Sequence, residues 1–191
     1  MPVAVTSNYI LNAAIQLIGD DQAPLTGQWP TFDNSAAGQV GNAIYQDTVQ
    51  ACARKFGYDF SRNVAALALT PNAPPAGWTY EYAYPTNGIQ VRQLIPQAIV
   101  DKNDPSPVNW TVGNATVNGT PTKVIWADLV NAQASFTNQP PEGLWDALFV
   151  EEVIRMLASG LAMGVAGRPE SAQIAMESAG MFGQIGQTRD S

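Results

Sequence analysis

Apolar residues recur at helical spacing near both ends of the chain and at alternate positions through its middle. After Thr6 and Ser7, either of which can cap free backbone N–H groups, Ile10, Ala14, Leu17 and Ile18 form one stripe, and Gly19 ends it. This predicts a first helix over about residues 6–18. A second is predicted over 35–56. There Val40, Ile44, Thr48 and Ala51 lie along one stripe, Tyr45, Val49, Cys52 and Phe56 along the next, and Gly57 breaks the pattern. Between them, DDQAPLTGQWPTFDN reads as a long connection whose Trp29 and Phe32 either pin the loop or touch a neighbouring subunit. FGYDF, with Phe56, Tyr58 and Phe60, is bulky enough to seal one end of a small core.

The middle third changes period. RNVAALALT, GWTYEYAY, GIQVRQLI, VNWTVG and TKVIWADL are short, β-leaning and separated by Pro, Gly, Asn and Asp. They predict a small antiparallel sheet over about residues 62–128. In WTYEYAY, the alternation of a strand puts Trp78, Tyr80, Tyr82 and Tyr84 on one face, which packs either a core or a subunit seam. Helical spacing returns over about 142–166. Trp145, Phe149, Val153, Leu157 and Leu161 make a broad apolar face there, while Gly160 and Gly164, among other small residues, let a second helix approach closely. Pro169 opens a last helix to about residue 185, with Ile174, Met181, Phe182 and Ile185 able to face the core and a loose tail from about Gly183. The expected fold is α+β, mainly α: an antiparallel bundle of about four helices with a small β insertion, in one domain over residues 1–191.

Composition adds a second theme. Charged residues make up 13% of the chain, about half the usual ~25%, as expected where other copies or partners bury much of the surface. A surface of Pro-, Asn- and Gln-rich loops would lower the charge count too. The net charge is −7 and the nine basic residues are scattered, which argues against a surface built to grip phosphates. Cys52 stands alone, so no intramolecular disulfide forms, and its apolar setting suits a buried, inert thiol. The N-terminus lacks the basic start of a signal peptide. Asp146, Glu151, Glu152 and Arg155 interrupt the most apolar stretch before it reaches the ~18 residues of a membrane span. The chain reads as made in a cytoplasm, with no membrane partner.

The chemistry is marked by absences. There is no histidine, which removes Ser–His–Asp and Cys–His systems and the commonest zinc ligand. No phosphate-binding glycine loop occurs. Carboxylates remain, and a glycosidase needs two across a cleft. Glu81, Glu142, Asp146, Glu151 and Glu152 are the candidates, with Glu142 and Asp146 spaced to share a helix face. Their positions fit helix-end electrostatics better than catalysis. The reading is no enzyme, no cofactor and no metal. A cell-wall hydrolase using Glu142 and Asp146, or a carbohydrate-binding module using the aromatic strand, are the alternatives.

Three stretches carry a resemblance: GNAIYQDTVQACARKFGYDFSRNVAAL, PPAGWTYEYAYPTNGIQVRQL and TNQPPEGLWDALFVEEVIRMLASGLA. Their order and spacing over roughly residues 7–186 resemble the head-to-tail adaptor proteins of short-tailed bacteriophages, the tail tubular protein A group. The chain departs from that pattern with Tyr58 where the group commonly has Trp, and with a Pro-rich loop at 103–107. The resemblance implies a structural virion protein, a homo-oligomeric and usually twelvefold ring at the head–tail junction. Its partners would be the portal above and a tail nozzle or tube protein below, with double-stranded DNA passing through the lumen without sequence readout. It implies core or subunit packing for Trp78, Tyr80, Tyr82, Tyr84, Trp145, Phe149, Gly160 and Gly164. Phe182, Ile185 and Arg189 become candidate portal contacts.

Overall fold

A computed structural model of the protein describes residues 4–19, 23–55, 57–96, 108–166 and 169–189. The chain divides into two compact units: residues 1–61 with 139–191, and residues 62–138.

In the first unit, α1 (Ser7–Leu17) starts where Thr6 Oγ1 accepts from the Tyr9 N–H at 3.2 Å. The connection that follows is a tight hairpin of β1 (Gly27–Gln28) and β2 (Thr31–Phe32). Asp33 fastens it, taking bonds from the Thr26 N–H at 2.8 Å and the Ser35 hydroxyl at 2.6 Å. The Ser35 bond first, then that from Thr26, holds the carboxyl down at about 2. Ser35 also caps α2 (Ala36–Lys55) by accepting from the Gly38 N–H. Phe32 and Trp29 pack on Tyr45 of α2, with ring centroids 5.9 and 6.3 Å away, so both aromatics pin the connection to the helix behind it. Phe56 lies outside the described residues. Helix α3 (Ala147–Leu161) continues into a π turn, Ala162–Ala166, and α4 (Pro169–Arg189) completes the unit. Helix α3 is central, contacted by α1, α2 and α4.

In the second unit, two three-stranded antiparallel sheets share one core. The first has the order β3 (Arg62–Ala66), β8 (Gln133–Thr137), β5 (Gln90–Ile95). The second has the order β4 (Tyr80–Ala83), β7 (Thr120–Ala127), β6 (Trp110–Val117). Tyr82, Ile125 and Ala127 from one sheet meet Val91, Leu94, Ala134 and Phe136 from the other. Beyond β3, the backbone crosses between sheets: the Ala83 N–H donates to Ala68 O at 2.8 Å, and the Thr70 N–H to Glu81 O at 2.9 Å. Strands β6 and β7 turn through Asn118 and Gly119, both at positive φ, the left-handed pair that a two-residue hairpin needs.

This corrects the expected fold class. Among the described residues four α-helices stand beside three antiparallel sheets, a mixed α/β fold rather than a helical bundle carrying a small β insertion. The excess strand comes from residues whose sequence pattern is faint. The β8 segment QASFT has no β-branched residue before Thr137, yet it is the central strand of its sheet and almost wholly buried.

Candidate functional site

The aromatic strand belongs to the second unit's interior. Tyr82 is in the core cluster, its hydroxyl donating to Leu129 O at 2.6 Å, and Tyr80 and Tyr84 pack against that cluster. The Tyr84 hydroxyl accepts from the Val91 N–H at 3.1 Å, and the Lys123 ammonium lies 5.6 Å from the Tyr84 ring centroid. Trp78 is only half-buried, in the turn before β4, its N–H donating to Pro75 O. A flat row of four rings open to a glycan or a base is therefore not present.

Glu81 alternates to the opposite face and is buried there. Its carboxylate accepts from the Thr70 hydroxyl at 2.7 Å, the Asn72 amide at 3.0 Å and the Trp126 indole N–H at 2.8 Å. Burial alone would raise its pKa, but the bonds from Thr70, Trp126 and Asn72 outweigh burial and hold it below the ordinary carboxylate value. The same Asn72 amide reaches Thr116 O at 3.1 Å. Glu81 thus ties a loop, a strand and a hairpin together, its two carboxylate oxygens engaged by three structural donors.

In the first unit, Trp145 and Phe149 stack edge to face at 5.0 Å, and Phe149 continues into Tyr58 and Phe60 at 5.0 and 5.1 Å. Next to them Glu152 is fully buried, accepting from the Tyr58 hydroxyl at 2.6 Å and facing the Lys55 ammonium at 3.5 Å. Burial raises its pKa, and the Tyr58 bond and the Lys55 charge only partly offset this. Burial, then the Glu152 charge, push the neighbouring Cys52 thiol up to about 12, so it stays protonated and inert.

Glu142 and Asp146 do not share a helix face. Residues 142–144 form a 3₁₀ turn, Trp145 is extended, and Asp146 caps α3 by accepting from the Leu148 N–H at 2.8 Å. Two prolines before Glu142 leave backbone N–H groups missing, and the cap restarts the helix only at Ala147. Glu142 accepts from the Tyr45 hydroxyl at 3.3 Å, while Glu151 pairs with Arg155 at 3.6 Å. Every carboxylate proposed for catalysis holds a structural partner, and the described residues contain no cluster of three metal-ligating side chains.

The small residues on α3 and its π turn meet α2 of the same chain: Gly160 faces the Ile44 side chain and Gly164 faces Val40. Ile174 and Met181 do not face the core; they are 69% and 61% exposed. The buried stripe of α4 runs instead through Ala179, with Ser178 and Phe182 beside it. Phe182 lies under the Arg155 guanidinium at 4.6 Å, and Arg155 also donates to the Ser178 hydroxyl at 3.3 Å. The side chains of Ile185 and Arg189 lie outside the described ones.

No model of a known protein family matches the chain, and no curated protein matches it. Among the described residues, no helix is long and apolar enough to cross a membrane.

Proposed function

We propose that this chain is a structural virion protein whose copies form a ring joining the portal of a phage head to the tail, with genomic DNA passing through the lumen. The observation that carries this reading is where the carboxylates go: Glu81, Glu142, Asp146, Glu151 and Glu152 are all engaged in fastening the fold. A chain with 13% charged residues and a net charge of −7 also suits a conduit, because few cations hold a sliding polyanion and a charge-poor surface suits burial between copies. The resemblance to phage adaptors supplies the partners: portal on one side, nozzle or tube on the other.

Two measurements test it. Sedimentation of the purified chain, alone and with portal, should give a single closed assembly of many copies. A cell-wall zymogram should show no clearing; clearing that is lost in Glu142→Gln or Asp146→Asn would replace this reading with the hydrolase.

A further inference from the structure

Among the described residues, four strand edges bound the second unit, and they are guarded unequally. The β4 edge is covered by Ala68–Thr70. The β5 edge carries Arg92 and a register break between Val91 and Gln93, both of which hinder an incoming strand. The β3 and β6 edges have neither bulge nor proline; β6 carries no charge along its eight residues, and β3 carries one, Arg62, at its first residue. Natural sheets blunt exposed edges with charge, proline, bulges or a covering segment, so an edge with few of these is a template for pairing.

The hydrogen-bond register says which groups are open. The Leu67 N–H donates to Ala132 O at 2.9 Å, so residues 63, 65 and 67 bond inward to β8, while Val64 and Ala66 point their backbone groups outward. Asn63 Oδ1 takes the Val64 N–H at 2.8 Å. The Ala66 N–H, the Ala66 carbonyl and the Val64 carbonyl have no partner among the described residues. Continuation of β4 would have filled this place, but Pro85 has no N–H to donate and the chain turns back, with the Gly88 N–H on Pro85 O. A notch of about 310 Å³ remains, lined by Ala65, Leu67, Tyr84, Pro85 and Phe136 among others, none of them charged. On β6, the Asp128 N–H donates to Asn109 O at 3.3 Å, which turns the backbone of Val112 and Asn114 outward; Asn72 already covers Thr116 O. Each open edge also exposes one β-branched apolar side chain, Val64 at 49% and Val112 at 43%.

We infer that the β3 edge of one copy pairs with the β6 edge of the next, continuing a sheet across the contact between copies. The two edges belong to different sheets of the unit, β3 ending one and β6 ending the other. A contact between different edges is head-to-tail, the kind that closes into rings. The inference deepens the ring reading above and rests on it for closure.

The test uses the full chain and two proline substitutions at outward-facing N–H groups, where edge strands tolerate proline. Ala66→Pro and Val112→Pro should each stay monomeric, while their equimolar mixture should give dimers and nothing larger, because one intact edge pair survives. Either variant assembling like the native chain while keeping native circular dichroism overturns the inference. If a variant misfolds, hydrogen exchange on the native chain decides. The Ala66 and Val112 amides should exchange about tenfold or more slowly in the assembly than in dilute monomer, and unchanged exchange overturns the pairing. Rings with unprotected edges would sink the pairing and leave the ring reading standing. Open, unclosed strings with protected edges would do the reverse, and a chain monomeric with and without portal would sink both.

Discussion

Thr70, Trp126 and Asn72 give Glu81 three hydrogen bonds, whereas Glu152 receives one from Tyr58 and an ion pair from Lys55 at 3.5 Å. The two buried carboxylates therefore titrate in opposite directions. Glu81, lowered, contributes stability that is full above the ordinary value of 4.5 and is lost as pH falls through its folded value. Glu152, raised, costs stability above its folded value, and that cost vanishes below 4.5. Glu81→Gln should lose about 1–3 kcal/mol at neutral pH, because an amide turns a donor toward one of three donors. Glu152→Gln keeps an acceptor for Tyr58 and removes a buried charge, so its urea midpoint should match or exceed the native one at pH 7.5. That difference should close toward pH 4. A Glu152→Gln variant that loses stability at neutral pH would show that the Lys55 pair outweighs burial. The sequence placed Glu81 opposite the aromatics but could not show its partners. Nor could it show Tyr58 meeting Glu152 across 94 residues, since no local pattern encodes a contact of that span.

At the scale of elements, glycines mark close approaches, and the neighbour's freedom to move sets what a side chain there would cost. A Cβ on Gly160 would lie 2.6 Å from Ile44 Cδ1, the free end of a flexible side chain. A Cβ on Gly113 would enter the ring of Trp126, which Glu81 holds in place. Gly113→Ala should therefore cost about 1–3 kcal/mol and shift the Trp126 fluorescence, while Gly160→Ala costs less, as urea denaturation of both will show. Equal losses would mean that the Trp126 ring is free to move. The helical half was the more legible because long apolar stripes and caps such as Thr6 are local. The β half was legible where residues alternate, as in WTYEYAY, and hidden where they do not. QASFT owes its strand to the neighbours on both sides of it, and β6 and β7 dilute their apolar positions with Asn, Gly, Thr and Pro. Asp146 was legible as a helix-end acid, but the 3₁₀ turn before it was not, which is why the Glu142–Asp146 face does not exist.

For the whole molecule, a charge-poor chain, carboxylates committed to structure and two sheet edges open among the described residues suit one proposed role, a ring that DNA passes through. Weak attraction to DNA follows: a labelled duplex should not shift with this protein at concentrations up to about 100 μM near physiological salt, where non-specific DNA binders already bind. A saturable shift would point instead to a surface that grips nucleic acid. The central claim is closure of copies into a ring, and negative-stain electron microscopy of the purified chain, alone and mixed with portal, tests it most directly. Annular particles of one size with an open centre wide enough for a duplex are the predicted result; monomers or open filaments under both conditions would contradict the account.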